Sequence, residues 1–487
     1  MTGFGNIEQS KHKKKKSPRE GLKGSIKSTS EIPLFGEAFN YHQQGNIKKA
    51  EQIYLKIISM KILNGETFCN LALIRKNEGK TSEALELYKK AIEIQPANPM
   101  THMNLGWLYE NLGDYRSALD STKKSLEIKP DNILALINAA SICINLGYIN
   151  QAIGYSRTAV ELNPDNPVAH NNLATCHEID NNLRTAFNHY VESANQVQKQ
   201  KSWSSLSSLI SACLILFQVG KIQNSLEYLL IAKKIASTED LGMDSIPIKT
   251  KNADINFLNY LNELHKNLEA EKLLTSENAI NKVLHIGDSH CLSFANQVIT
   301  IKNKLMLITP SLIRGAKAFH FKNSTEINRF KYAFERRVAS GLEEYRYVFI
   351  SFGEIDCRIN EGIILYCQKY GEDVESVAVK TANDLVDYLA VQLNNFRHKV
   401  IIFGTPAPRS TKTHEKSFSD AEKDRILIIK AFNSSLCEAC NRADIAFADV
   451  YGLTSNEVFS NNNRWMIDEF HLKKSALKPL LNDLNRL

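Results

Sequence analysis

Two short stretches far apart in the chain hold side chains that could act together on an electrophile: Gly287-Asp288-Ser289-His290 and Asp468-Glu469-Phe470-His471. A serine hydroxyl is a poor nucleophile at its own pKa and needs a base within hydrogen-bond reach. Histidine suits that task near neutral pH, because it can take a proton and later return it to a leaving group. A carboxylate beside the imidazole would hold its tautomer. A third stretch, Gly353-Glu354-Ile355-Asp356-Cys357-Arg358, concentrates charge. Glu354, Asp356 and Arg358, with Asp288, read either as site groups or as a local charge network. The bland alternatives are Ser289 as a helix cap and His471 as an ordinary surface side chain.

Each stretch follows a short apolar run. The runs are Lys282–Ile286, Leu305–Thr309, Tyr347–Phe352, Val400–Phe403 and Ile445–Val450. Helical patterns lie between several of them, at Val374–Leu393 and Asp420–Asn441. Continuous apolar strands alternating with helices predict a parallel sheet covered on both faces. In such a sheet, sites form outside the carboxyl ends of the strands.

Gly-Asp-Ser after the first strand and Asp-x-x-His before the last helix, in that order, resemble the SGNH (GDSL-like) hydrolase superfamily. The resemblance covers residues 280–487, and Gly-Glu-Ile-Asp resembles a variant subgroup. It implies a flavodoxin-like three-layer α/β domain with Ser289 as nucleophile, His471 as general base and Asp468 as the orienting carboxylate. It also implies an oxyanion hole from the Ser289 N–H, a glycine N–H (Gly315, in Ile313-Arg314-Gly315-Ala316) and an asparagine side chain. Ile355 stands where that asparagine would fall and cannot donate from its side chain. Arg358 could substitute, since a guanidinium can reach and donate. A helix opened by Ser289 near Leu292 would add its dipole to the hole. The segment Phe319–Glu344 would shape the pocket.

Upstream, periodicity dominates. Ala50, Ala84, Ala118, Ala152 and Ala186 lie 34 apart, as do Gly45, Gly79, Gly113 and Gly147, and Pro96, Pro130 and Pro164. The glycine ends one helix, the alanine lets two helices approach, and the proline closes the second. This pattern resembles the tetratricopeptide repeat, five times over residues 31–200. Residues 201–279 would hold a degenerate sixth unit, with Gly220 and Ser225 in the Gly-to-Ala spacing, and a capping or linking helix over Asp254–Leu274. Asn70, Asn104, Asn138 and Asn172 form another ladder of 34. Stacked on a concave face they could clamp a peptide backbone, similar to the asparagine ladder in the repeats of protein O-GlcNAc transferases. Equally, Asn could simply be common at this position of the repeat.

The chain has 487 residues, 43% of them hydrophobic and 23% charged, which excludes a wholly disordered or collagen-like protein. The formal charge is +7, but residues 1–30 hold eight Lys or Arg against two Glu. The excess therefore belongs to a disordered basic tail, and no nucleic-acid platform is indicated elsewhere. The uncharged window Ser202–Gly220 contains six Ser and reads as a buried helix rather than a membrane span. An odd count of nine Cys without an export signal points to a reducing, cytoplasmic compartment. Cys437-x-x-Cys440 has no second pair, and the sequence has neither a phosphate-binding Gly-rich loop nor His-Glu-x-x-His, so no metal or other cofactor is expected. Two readings follow. In one, the chain is an ester hydrolase, acting on an ester-bearing small molecule or on the O-acyl group of a glycan, with repeats that bind a protein; an acyltransferase using the same serine is its variant. In the other, it is a non-catalytic peptide-binding scaffold.

Overall fold

The structure is a computed structural model and describes residues 31–198, 203–237, 248–269, 281–322, 327–408, 419–456, 462, 464–468 and 470–482. The basic tail lies outside the described residues. The chain divides into two compact units, one ending at Asn172 and the other beginning at Leu173.

Helices come in pairs: α1 (Glu31–Gln43) with α2 (Ile47–Ser59), α3 (Gly65–Asn77) with α4 (Thr81–Ile94), α5 (Pro99–Asn111) with α6 (Tyr115–Ile128), α7 (Ile133–Leu146) with α8 (Ile149–Leu162), and α9 (Pro167–Ile179) with α10 (Leu183–Gln198). The 34-residue spacings explain them. Gly45, Gly79, Gly113 and Gly147 turn the chain with φ between 75° and 80°, and Asn181 takes the same left-handed position in the fifth pair with φ 63°. A Cβ at Gly45, Gly79 or Gly113 would meet nothing, so the requirement there is conformational. The five spaced alanines are fully buried. A second ladder, Asn64, Asn98, Asn132 and Asn166, escaped the sequence reading. Each side-chain oxygen accepts a first-turn N–H, from Thr67 (2.9 Å), Thr101 (3.3 Å), Ala135 (3.4 Å) and Ala169 (2.9 Å).

The second unit continues with α11 (Trp203–Gln218), α12 (Ile222–Ala236) and α13 (Ile248–Glu269). Gly220 keeps the repeat's left-handed turn (φ 76°) and Ser225 is buried in the place of the alanine. Helix α13 starts six residues before the expected Asp254. Six strands follow among the described residues: β1 (Asn281–Gly287), β2 (Val298–Ile301), β3 (Lys304–Leu312), β4 (Tyr345–Ser351), β5 (Val400–Phe403) and β6 (Ala446–Ala448). They are ordered β2-β3-β1-β4-β5-β6. Helices α14 (Arg329–Ala339), α15 (Ile363–Tyr370), α16 (Val374–Gln392), α17 (Asp420–Arg442), α18 (Val450–Thr454) and α19 (Leu477–Asn482) complete the unit.

The expected all-parallel sheet is corrected in one respect. β2 pairs antiparallel with β3, and the sheet is mixed. Lys302 and Asn303 both have positive φ (46° and 60°), the conformation a two-residue hairpin requires. Nothing in Lys-Asn announces such a turn as Asn-Gly would. Residues alternate between faces along each strand. Leu284, Ile286, Val348, Ile350 and Ile402 meet Leu385, Leu389, Phe432 and Leu436 of α16 and α17. Val283, Ile308, Phe349, Ile401 and Phe403 meet Phe294, Val450, Leu477 and Leu480. A third cluster joins α11, α12 and α13 to Cys291, Leu292, Ala295 and Leu312. The parallel strands leave β1 in both directions, so the carboxyl end of β1 is the switch point of the sheet, the place where ligands collect in open α/β sheets.

Candidate active site

Ser289 lies two residues beyond the end of β1. A Cβ on Gly287 would collide with the Ser351 hydroxyl and lie 2.5 Å from the Ser351 carbonyl, so only glycine lets β1 close on β4 here. Ser289 opens a single 3-10 turn, Ser289–Leu292, in place of the expected α-helix. A four-residue turn carries little dipole, so that contribution to an oxyanion site is removed. Asp288 caps this turn, its Oδ1 accepting the His290 N–H at 3.0 Å.

The second motif sits on a tight loop closed by the Met466–Leu472 bridge. Asp468 Oδ1 accepts the Phe470 and His471 N–H groups at 2.7 and 2.8 Å. His471 Nδ1 lies 2.9 and 2.8 Å from the two Asp468 oxygens, which fixes its proton on that nitrogen. The Ser289 hydroxyl is then left to donate to His471 Nε2 at 2.9 Å, across 182 residues of sequence. Burial opposes the charge on Asp468, but its bonds to His471 and the loop N–H groups hold it down at about 2. Burial also lowers His471, and Asp468 restores only part of that loss.

His290, the residue after the serine, links the two loops. Its Nδ1 lies 2.9 Å from Asp288 Oδ1 and its Nε2 2.8 Å from the Phe470 carbonyl. Both partners are acceptors, so both ring nitrogens donate and the imidazole is cationic. Burial alone would lower His290, but Asp288 pushes it up to about 9. Burial likewise disfavours the Asp288 carboxylate, and the His290 charge outweighs it.

The charge network is resolved in part. Arg358 donates Nε and Nη2 to Glu354 at 2.8 and 2.6 Å and lays its guanidinium over the Phe470 ring at 4.4 Å. Its Nε and Nη2 are therefore committed to Glu354. Asp356 takes no part in that pair. It accepts the Ala318 and Phe319 N–H groups at 2.6 and 3.1 Å, and burial pushes it up to about 7. Ile355 is buried. Gly315 has φ 70° on the loop after β3. That loop stays beside β1 through the Ile313 N–H to Gly287 carbonyl bond at 2.7 Å. Neighbouring Arg314 is anchored on Glu178 (Nε at 3.1 Å), Ser211 (2.9 Å) and Tyr190 (3.0 Å).

Tyr260, on α13, is the site residue that sequence reasoning missed. Its ring stacks on His471 with centroids 3.6 Å apart and planes 16° from parallel. A tyrosine on an amphipathic helix 29 residues before Ser289 gives no signal in a single sequence.

In the repeats, Asn70, Asn104, Asn138 and Asn172 are all half-buried. Asn104 Nδ2 reaches Cys69 Sγ (3.7 Å), Asn172 Nδ2 donates to the Ile137 carbonyl (3.2 Å), and Asn70 bonds Tyr54. Part of the ladder's hydrogen-bonding capacity thus ties one repeat to the one before it. Among the described residues no group of His, Cys, Asp or Glu could hold a metal ion, and no helix is long and apolar enough to cross a membrane. Cys437 and Cys440 are free thiols on α17.

Residues 72–113 match a TPR repeat model, and residues 99–132 and 134–166 match tetratricopeptide repeat models. The helices within residues 72–166 are therefore tetratricopeptide repeats. No curated protein matches the chain. Similar solved structures include pilF of Pseudomonas aeruginosa, 17% identical over 42% of this chain and 91% of that one, with a TM-score of 0.38. A tetratricopeptide repeat protein from Parabacteroides merdae is 19% identical over 50% of this chain and 88% of that one (TM-score 0.38). YrrB, a TPR protein with an unusual peptide-binding site, is 20% identical over 38% and 93% (TM-score 0.33).

Proposed function

We propose that the chain is a serine ester hydrolase of the SGNH (GDSL-like) type, with tetratricopeptide repeats that hold a protein or peptide partner. The observation that carries this reading is the hydrogen-bonded series Ser289–His471–Asp468, with separations of 2.9 and 2.8 Å. His471 takes the Ser289 proton as Oγ attacks the ester carbonyl. A tetrahedral intermediate forms and collapses, the alcohol leaves with the proton from His471, and Ser289 is acylated. Water, deprotonated by His471, then attacks the acyl-enzyme and releases the acid. An acceptor alcohol in place of water would make the same serine an acyltransferase. The Ser289 and Gly315 N–H groups are the two backbone oxyanion donors. With Ile355 in place of a third donor, turnover is about 10²–10³-fold below that of a complete hole.

The test is covalent labelling. A fluorophosphonate probe modifies the wild type and leaves Ser289→Ala unlabelled, and p-nitrophenyl acetate turnover follows the same pattern. Equal labelling or turnover in the two proteins removes Ser289 from the chemistry. Ile355 is the observation that favours the scaffold reading, and absence of labelling in the wild type would favour it over the enzyme.

A further inference from the structure

We infer that Tyr260 of α13 is a positioning residue for His471, so that the helix preceding the sheet is built into the site rather than linking to it. The inference rests on the Ser289–His471 reading.

The two hydrogen bonds of His471 define the ends of the imidazole but not its tilt. A ring held at Nδ1 by Asp468 and at Nε2 by Ser289 can still rock about the line between those atoms. The Tyr260 face, 3.6 Å away and nearly parallel, removes that freedom on one side. His290 stands on the ring at 5.1 Å and 38°, too far and too tilted to do the same. The Tyr260 hydroxyl reaches the nucleophile's own segment. It donates to the Ser289 carbonyl at 3.3 Å and shares a hydrogen bond with Ser293 Oγ at 3.0 Å. One side chain therefore spans base and nucleophile. Its own place is fixed because Tyr260 is buried with Leu258, Leu261 and Leu264 in the cluster that includes Leu292 and Leu312. This packing also excludes water from one face of the imidazole.

Two variants separate the parts. Tyr260→Phe keeps the stacked ring and loses the hydroxyl; kcat for p-nitrophenyl acetate falls about three- to tenfold. Tyr260→Met keeps an apolar side chain of similar reach and removes the ring face. There kcat falls by about 10²-fold, the penalty of a misplaced group, with KM unchanged. The acid limb of the Tyr260→Met pH–rate profile also moves upward, because water reaches an imidazole that burial now keeps hard to protonate. The charged groups acting on that imidazole are Asp468 on its loop, His290 after β1 and Glu354 after β4. All of them stay in both variants. Proton NMR of His471 in the full-length protein gives a readout independent of turnover: the ring-current shift from Tyr260 persists in Tyr260→Phe and vanishes in Tyr260→Met. An unchanged kcat or an unmoved acid limb in Tyr260→Met overturns the inference while Ser289→Ala remains inactive. If Tyr260→Met fails to fold, Tyr260→Phe decides: a kcat equal to wild type, or a lost ring-current shift, overturns it. If wild-type Ser289 is unreactive, the catalytic reading fails separately, and with it the role given to Tyr260.

Discussion

Asp468→Asn tests the proposed chemistry with the least disturbance to the loop. The carboxylate does two jobs. Oδ1 accepts the Phe470 and His471 N–H groups, and both oxygens face His471 Nδ1 at 2.8–2.9 Å. An asparagine fits the same space. If its amide oxygen keeps the two backbone bonds, its NH2 takes the Oδ2 position, 2.8 Å from Nδ1. A donor this close to Nδ1 favours Nδ1 as the acceptor over an N–H facing the amide oxygen at 2.9 Å, so the imidazole proton moves to Nε2 and faces Ser289. The serine hydroxyl then has no lone pair to donate into. A triad held in the wrong tautomer loses about 10⁴ in kcat, or about 5 kcal/mol of transition-state stabilisation. The backbone bonds persist, so the melting temperature changes little by comparison. The assay is the rate of fluorophosphonate labelling alongside p-nitrophenyl acetate turnover, with Ser289→Ala as the floor. A labelling rate within tenfold of wild type, in a protein that melts normally, would show that Asp468 does not set the state of His471. The relay would then be only a structural hydrogen-bond chain.

Other outcomes follow from the same geometry. Only neutral His471 accepts the serine proton, and burial holds its pKa below 6.5; kcat/KM therefore rises with pH along an acid limb lying below 6.5 and is flat through neutrality, and a limb above 7 contradicts this assignment. Ile355→Asn supplies the missing oxyanion group, so kcat rises by up to about 10²-fold while thermal stability falls, because a buried apolar side chain is exchanged for an amide. Asn98→Ala removes the cap on Met100 and Thr101 at the start of α5 and lowers unfolding free energy by about 1 kcal/mol in urea titration, with labelling of Ser289 unchanged.

The repeats were legible because each 34-residue spacing marks a backbone necessity: a left-handed turn at Gly45 or Gly79, a close approach at Ala84 or Ala118. The fifth turn broke the glycine ladder only because Asn181 can adopt the same conformation. The strands were legible because burial on both faces leaves continuous apolar runs. Lys302-Asn303 gave no turn signal, and the connection after β1 became a 3-10 turn and an edge strand instead of a helix. That Ser289, Asp468 and His471 come within hydrogen-bond reach was legible from motif and order. Tyr260 was not, since its role lies in a ring stacked across the fold rather than in a spacing. Asp356 was grouped with Glu354 and Arg358 by sequence proximity, yet its carboxylate turns to the backbone of Ala318 and Phe319.

Two histidines with centroids 5.1 Å apart take opposite protonation states here, and the reason bears on the proposed mechanism. His290 lies between two acceptors, so it must carry both ring protons. His471 lies between a carboxylate and a hydroxyl that can donate, so it needs only one. The His290 charge adds to burial in keeping His471 neutral, which is the state a general base requires. The same charge opposes the imidazolium that forms when His471 takes the serine proton. Asp468, held down at about 2 and bonded through both oxygens, is the group that offsets that opposition. A base kept neutral at rest by one neighbour and stabilised when protonated by another is matched to proton transfer in both directions. His290 therefore does more than join two loops. Replacing it by a neutral side chain would make His471 easier to protonate at rest and move the acid limb of the rate profile upward, the opposite of what removing Asp468 would do.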